Sequence, residues 1–234
     1  MIKKIIIIPT YNEKKNIKLL IKKIIKLYKS EFFILVIDDN SPDGTLNVVK
    51  VLKKKYNFIN YISRNKKLGI GSAHKHSITY AYKKKFDLII TMDADGTHNP
   101  IYIKDFINNF SKHNLITTSR FIKKDSLKEW PLYRRLLTNL RHKLIKFVLK
   151  VPFDSSGAFR CYNTKKIKLK DILSAKDDGY SFFWESMFVL YKKKYSILEI
   201  PIHLPYRTLG ASKMEFRDIF KALFYLLVIF KRNI

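Results

Sequence analysis

Two aspartates one residue apart, Asp93 and Asp95, close an apolar run, and an adjacent pair, Asp38 and Asp39, closes another. Side chains at i and i+2 of a strand leave the same face, so Asp93-Ala94-Asp95 can present two carboxylates together. With no thiolate or histidine cluster beside them, these oxygens suit a hard divalent cation, Mg2+ or Mn2+, able to bridge a diphosphate. Taken alone, Asp93-Ala94-Asp95-Gly96 reads equally as a loop-forming turn. Asp38-Asp39 stands where α/β nucleotide binders place an acid for a ribose hydroxyl or a base N–H. The stretch after it, Asn40-Ser41-Pro42-Asp43-Gly44-Thr45, reads as a turn and helix cap, which leaves two adjacent negative charges in need of a cation or of donors.

The charge balance sets the partners such groups could meet. There are 47 Lys+Arg against 19 Asp+Glu, a net charge of +28, which favours polyanions: nucleic acid, an anionic membrane surface or phosphorylated substrates. Only nine of the 47 are arginine, so in this lysine-biased chain an arginine marks a place that needs a planar, bidentate donor for phosphate or carboxylate. No G-x-x-x-x-G-K-[ST] and no G-x-G-x-x-G follows a strand, which removes P-loop nucleotidases and dehydrogenases together. His74, His76, His98 and His113 lack H-E-x-x-H spacing and read as surface or helix-face residues.

The elements that must position these groups alternate regularly. Apolar runs at 5–8, 32–37, 58–63, 87–92 and 115–119 read as strands; Ile17, Leu20, Ile21, Ile24, Ile25 and Tyr28 mark a helix face between the first two, and further helices are predicted at 45–54, 71–83 and 100–111. This spacing predicts an α/β fold with a Rossmann-like, doubly wound, mainly parallel sheet, whose ligands bind at the carboxyl ends of the strands. The polar clusters 9–13, 38–44 and 93–98 fall at those ends. Farther on come a basic amphipathic stretch at 130–151, a helix at 180–191, strands at 197–200 and 204–207, and a C-terminal amphipathic helix. The single cysteine, Cys161, cannot form an intramolecular disulfide and points to a reducing compartment. The N-terminal apolar run at 5–8 is too short for a signal-peptide core, and no run, the longest being 222–230, has the length of a membrane span.

Pro9-Thr10-Tyr11-Asn12-Glu13, then Asp38-Asp39-Asn40-Ser41-Pro42-Asp43-Gly44-Thr45, then Asp93-Ala94-Asp95, in this order and at these strand ends, resemble the inverting nucleotide-sugar glycosyltransferases of the GT-A type, and within them the dolichol-phosphate (polyprenyl-phosphate) mannosyltransferases. Later stretches agree: Arg64 with Gly69-Ile70-Gly71-Ser72-Ala73, Ser119-Arg120, Asp154 to Tyr162, Gly179-Tyr180-Ser181-Phe182 with Glu185, Glu199-Ile200-Pro201-Ile202, and Arg207-Thr208-Leu209-Gly210-Ala211-Ser212-Lys213. One departure is the triplet Gly96-Thr97-His98, where such enzymes often carry Leu-Gln-His, so a ligand role of that glutamine passes to Thr97.

The resemblance implies transfer of mannose from GDP-mannose to a polyprenyl monophosphate. It places the donor nucleotide sugar at Pro9, Tyr11, Glu13, Asp38, Asp39, Asp93 and Thr97, and Mg2+ or Mn2+ at Asp93 and Asp95. Asp95, Arg120, Arg207 and Lys213 become the expected catalytic residues. The acceptor phosphate, already anionic, needs positive charge rather than a base, and Arg120, Arg134, Arg207 and Lys213 are the candidates. A same-fold alternative transfers a sugar to a hydroxyl and needs a base, for which Glu185 is the available acid. A nucleic-acid-binding protein is the alternative from another class, and no C2H2, KH or RRM signature supports it. The expected organisation is a GT-A domain at 1–214 and a membrane-associating helix at 215–234. From 216 on, four phenylalanines lie at helical spacing among basic residues, too short an apolar stretch to span but suited to lying in the surface of an anionic leaflet. The expected protein is cytoplasmic and peripheral on the cytoplasmic membrane face, held there by lipid or by an integral partner.

Overall fold

Ile5, Ile6, Ile7 and Ile8 are all fully buried, because the strand they form, β1 (Lys4–Thr10), runs in the middle of a sheet covered on both faces. In a computed structural model, which describes residues 2–207 and 216–232, Ile5 and Ile7 enter one hydrophobic core and Ile6 and Ile8 the other. The period-2 alternation of a strand thus divides one apolar run between two layers. Truncating any of these to alanine is worth roughly 2–5 kcal/mol.

The chain continues through α1 (Lys14–Tyr28), β2 (Phe33–Asp38), α2 (Thr45–Lys55), β3 (Ile59–Ser63), α3 (Ile70–Lys83) and β4 (Leu88–Thr91). A short 3-10 turn (Pro100–Tyr102), capped by the Asn99 side chain, leads into α4 (Ile103–Asn109) and β5 (Leu115–Ser119). Then come α5 (Leu132–Leu149), β6 (Arg160–Asn163), α6 (Leu169–Leu173), α7 (Ser181–Lys192), β7 (Ile197–Pro201) and α8 (Phe216–Arg232). The sheet order is β3-β2-β1-β4-β6-β5-β7, parallel throughout except for β6, which runs antiparallel between β4 and β5. The expected α/β, GT-A, doubly wound and mainly parallel sheet is present, and the carboxyl ends of β1, β2, β4 and β5 open on one edge.

Two turns fix that edge. The Asp43 carboxylate accepts from the Lys14 and Thr45 backbone N–H groups at 3.0 and 2.9 Å, so one side chain caps both α1 and α2. Gly71 lets the loop at 177–181 lie against the start of α3: a Cβ there would sit 2.7 Å from the Gly179 carbonyl oxygen and from Phe182 Cβ.

Three expectations change. Residues 204–207 form no strand; Leu204 N–H donates to the Ser126 carbonyl and Tyr206 N–H to Glu129, so the segment crosses the loop that precedes α5 instead of joining the sheet. His74 is no surface residue: it is fully buried between Phe182 and Phe183, and among the described residues neither ring nitrogen has a partner. Burial first, then Arg160, holds it to about 3 and so neutral. His98 is also buried, at the site described below. The C-terminal helix α8 exists, but it does not stand apart. Leu226 and Ile229 are in the core and Tyr225 packs on Trp184, while Phe224, Leu227 and Phe230 remain exposed. Among the described residues no helix is long and apolar enough to cross a membrane.

Candidate active site

The strand-end clusters meet along one cleft, and its first side is acidic. Strand β4 ends at Thr91, which puts Asp93 and Asp95 just past the sheet edge. Asp95 accepts from the Thr97 hydroxyl (2.6 Å) and backbone N–H (3.1 Å), so Thr97 fixes the orientation of this carboxylate. His98, 5% exposed and stacked on Phe159, accepts the Asp93 N–H at its Nδ1 (2.9 Å), and its Nε2 lies 3.8 Å from Asp93 Oδ2. Glu13, delivered by the turn after β1, reaches the same place. Arg207 spans it, with one amino group 2.6 Å from Glu13 Oε1 and the other 3.5 Å from Asp95 Oδ2. Among the described residues, three carboxylates therefore face one guanidinium. Burial first, and then the Asp95 and Glu13 charges against the opposing pull of His98 and Arg207, push the Asp93 carboxyl above its ordinary value.

The two adjacent aspartates after β2 find the compensation their charges require. Asp38 is fully buried and accepts from the Thr10 and Ser41 hydroxyls and the Ser41 N–H at 2.6–2.9 Å, which shapes the turn. Asp39 pairs with the buried Arg64, whose other nitrogens bond Ser72 and the Gly69 carbonyl, and it accepts the Leu68 N–H at 3.1 Å. Nearby, Pro9 pairs with Ile37 at the end of β1, and the Tyr11 ring in the loop after it lies under Lys67 Nζ at 4.9 Å. A cleft of about 250 Å³ adjoins this region, lined by Leu68, Gly69, Asp178, Tyr180 and Asp218 among others.

The second side is basic. Arg120, just after β5, forms a bidentate pair with Asp154 at 2.8 and 2.7 Å, and Asp154 in turn accepts the Arg120 N–H. The Asp154 backbone N–H donates to Glu199 on β7. Burial alone would raise the Asp154 carboxyl; the Arg120 charge and hydrogen bonds outweigh it and hold the group at about 2. Helix α5 adds Arg134, which lies over the Trp130 ring (4.7 Å) and the Tyr206 ring (5.4 Å), and Arg141. Arg141 Nε is buried with no hydrogen-bond partner among the described residues. Its guanidinium is lowered to about 10, by burial first and then by the Arg120 and Arg134 charges. Among the described residues, three guanidiniums here meet two carboxylates, the buried Asp154 and the neighbouring Glu199. Tyr206, bonded by Arg134 and preceding Arg207, links the two sides.

The model of glycosyl transferase family 2 matches residues 5–169. The chain belongs to this family. Among curated proteins, the family member is 28% identical over 223 residues to the polyprenol monophosphomannose synthase of Mycolicibacterium smegmatis, covering 94% of this chain and 84% of that one. It is 27% identical over 210 residues to the undecaprenyl-phosphate mannosyltransferase of Micrococcus luteus, covering 89% and 86%. Among solved structures it shares its fold with glucosyl-3-phosphoglycerate synthase of Mycobacterium tuberculosis. The crystal structure of that protein with Mn2+, UDP-glucose and phosphoglyceric acid superposes with a TM-score of 0.67 at 15% identity, over 98% of this chain and 80% of that one. Its complex with Mg2+ and UDP gives 0.63 at 16% identity, over 97% and 80%.

The residues of this glycosyltransferase fit a divalent ion of the kind expected. Among the described residues no group of three or more His, Cys, Asp or Glu side chains is set to hold a metal. Two carboxylates beside an uncompensated negative charge match an ion that takes its remaining oxygens from a diphosphate and water. Lys213 lies outside the described residues. Glu185 is 5% exposed, and its carboxylate accepts the Lys176 and Asp177 N–H groups (2.7 and 3.1 Å) and the Tyr225 hydroxyl (3.4 Å). It is the anchor of the 176–181 loop. His98 and Arg141 are the site residues that sequence reasoning missed: the first carried a signal in its place three residues after Asp95, the second in being an arginine, one of three on α5, in a chain whose cations are mostly lysine.

Proposed function

We propose that this family 2 glycosyltransferase moves mannose from GDP-mannose to a polyprenyl monophosphate with inversion, using a divalent metal. The observation that carries the reading is the pairing of the two sides: a cluster short of positive charge and a cluster short of negative charge share one cleft, joined through Tyr206 and Arg207. The names of the curated relatives support both the sugar and the lipid-phosphate acceptor.

In this reading Pro9, Tyr11, Asp38 and Asp39 form the wall for the nucleoside, and Glu13, Thr97 and His98 hold the acidic cluster in shape. Asp93 and Asp95 would hold Mg2+ or Mn2+, which when bound offsets the charge that develops on the departing diphosphate. Arg120, Arg134, Arg141 and Arg207, with Lys213, hold the acceptor phosphate. A phosphate oxygen attacks the anomeric carbon, the bond from that carbon to the diphosphate oxygen breaks, and the electron pair leaves with the nucleoside diphosphate. No proton moves, so no side chain need act as a base. What the arginines supply is position, since alignment of two bound reactants is itself worth several kcal/mol of barrier. The enzyme works as a peripheral protein on the cytoplasmic face of a membrane, on an anionic leaflet or beside an integral partner.

The test is to incubate the protein and Mn2+ with a panel of nucleotide sugars and a short, water-soluble polyprenyl phosphate, and to identify products by mass. A hexosyl phosphopolyprenol from GDP-mannose alone is expected. Transfer to free sugars or lipid hydroxyls, with the phosphate untouched, overturns the reading.

A further inference from the structure

Helix α5 has a second face that the site does not use. Its inner face is set by the buried Thr138, Ile145 and Leu149, and one flank carries Arg134 and Arg141 into the cleft. A surface helix normally turns polar side chains outward. Here the outward face carries Leu132, Leu136, Leu137, Leu140, Leu144 and Phe147, exposed between 38% and 81%, with the exposed Tyr133 among them and Lys143 toward one edge. At 100° per residue these six fall within an arc of about 140° opposite the buried stripe. Over 18 residues the helix is about 27 Å long, so the apolar strip is sizeable. Arg135, Lys143, Lys146 and Lys150 border it, and the helix contains no acidic residue. Helix α8 touches α5 and exposes Phe224, Leu227 and Phe230.

We infer that the outward face of α5 is the main membrane-docking surface of this enzyme, lying in the plane of an anionic leaflet with its leucines and Phe147 at the acyl boundary and its bordering cations among the headgroups. Charge complementarity selects this occupant. Two copies facing each other through this strip would bring two chains of net charge +28 together along their basic borders, whereas each cation near an anionic leaflet contributes roughly 1 kcal/mol of attraction. The expected membrane-associating C-terminal helix takes the smaller share: α8 commits Leu226 and Ile229 to the core, while α5 offers the longer free face. The inference rests on the lipid-phosphate reading in one respect. With the strip in the membrane surface, Arg134 and Arg141 stand on its flank, at the level where the phosphate of a lipid-borne acceptor lies.

The test is flotation with vesicles of phosphatidylcholine and phosphatidylglycerol at low salt, together with two turnover assays, one with a water-soluble short-chain polyprenyl phosphate and one with a long-chain acceptor embedded in the vesicles. The variant Leu136→Glu/Leu140→Glu/Phe147→Glu should partition at least about tenfold less than the parent, three exposed side chains being ample for that loss. It should keep turnover of the soluble acceptor and lose turnover of the embedded one in parallel with binding. Phe224→Ser/Leu227→Ser should lose less. The inference is overturned if the triple variant floats as the parent does, if the parent ignores these vesicles, or if light scattering shows a parent dimer that the triple variant splits, since a second copy then covers the strip. A parent that floats through α5 yet glycosylates no lipid phosphate leaves the docking surface in place and defeats the functional reading alone.

Discussion

The two sides of the cleft are unbalanced in opposite senses. Around Asp93, three carboxylates face Arg207, and the excess negative charge helps push the Asp93 carboxyl up. Around Arg120, three guanidiniums outnumber the Asp154 and Glu199 carboxylates among the described residues, and after burial the Arg120 and Arg134 charges bring Arg141 down to about 10. A fold concerned with stability alone would neutralise both, because unpaired buried charge is costly. Each side instead retains the imbalance that its missing ligand would correct: a cation with a diphosphate on one, a phosphate monoester on the other. The comparison also separates charges already paired within the protein from charges left for a ligand. Arg64 with Asp39, and Arg120 with Asp154, are pairs closed within the protein, the second still presenting its guanidinium to the cleft; Asp93, Asp95 and Arg141 are the open members.

The largest effect is expected where a closed pair is broken. Asp154→Asn leaves the Arg120 guanidinium buried without its counter-charge and should cost about 3–5 kcal/mol in urea unfolding at pH 7. The sign with pH follows from the carboxyl being held at about 2 against an ordinary 3.8. The stabilisation is complete above pH 4 and fades as pH falls toward 2, so the parent should lose about 2 kcal/mol across that window and the gap to the variant should narrow. A gap that stays constant from pH 5 to pH 2 would show that the pair does not carry this charge.

Next comes an open member. Asp95→Asn should lower turnover on the order of 10²- to 10³-fold and weaken metal-dependent donor binding. Its thermal midpoint should stay near that of the parent, because among the described residues Asp95 bonds only Thr97 and a distant Arg207 nitrogen. Full turnover in the variant, or in the parent with excess chelator, would break the assignment of this side.

Much of this could be read from residue order alone. Strands β1 to β5 announce themselves by apolar runs, and the strand-end acids follow from them. What resisted reading were features fixed by tertiary packing. The leucines of α5 have the periodicity of a core face, yet the residues buried there are Thr138, Ile145 and Leu149; periodicity reports a stripe and is silent on which stripe meets the sheet. Residues 204–207 have strand-like composition, but their N–H groups are taken by the loop before α5, Leu204 by the Ser126 carbonyl and Tyr206 by the Glu129 carboxylate, a tertiary contact that composition does not announce. His98 looked ordinary because its role depends on Asp93 N–H, a backbone group with no signature in the sequence. Arg141 was visible only as one arginine in a basic helix, since its unpaired nitrogen is a property of its surroundings.

A smaller effect should mark the basic side. Arg141→Gln removes a guanidinium that shares Asp154 with Arg120 and whose Nε has no hydrogen-bond partner among the described residues, so the variant should be about as stable as the parent, while its acceptor Michaelis constant should rise about tenfold, equivalent to about 1.4 kcal/mol. Donor parameters should hold. This split between stability and acceptor binding distinguishes an anion-holding arginine from a structural one, and a rise in the donor constant instead would move Arg141 to the other side of the comparison.

The smallest effect is expected at Glu185, and it tests whether the site contains a base at all. If the acceptor were a hydroxyl, a carboxylate would have to take its proton in the transition state, and replacing that carboxylate by an amide would typically cost 10²- to 10⁴-fold and remove the corresponding limb of the pH-rate profile. In the structure, one Glu185 oxygen accepts two backbone N–H groups of the 176–181 loop and the other meets the Tyr225 hydroxyl. Glutamine can keep the first arrangement through its carbonyl oxygen and turn its amide toward the tyrosine, so Glu185→Gln should cost about 1 kcal/mol of stability. Turnover should change by no more than a few-fold, with a pH-rate profile of the parent's shape. Both sides of the cleft then act by position and charge alone. A loss of turnover confined to one limb of the profile, with donor affinity and unfolding unchanged, would make Glu185 the base and the acceptor a hydroxyl, and the basic cluster would need another ligand.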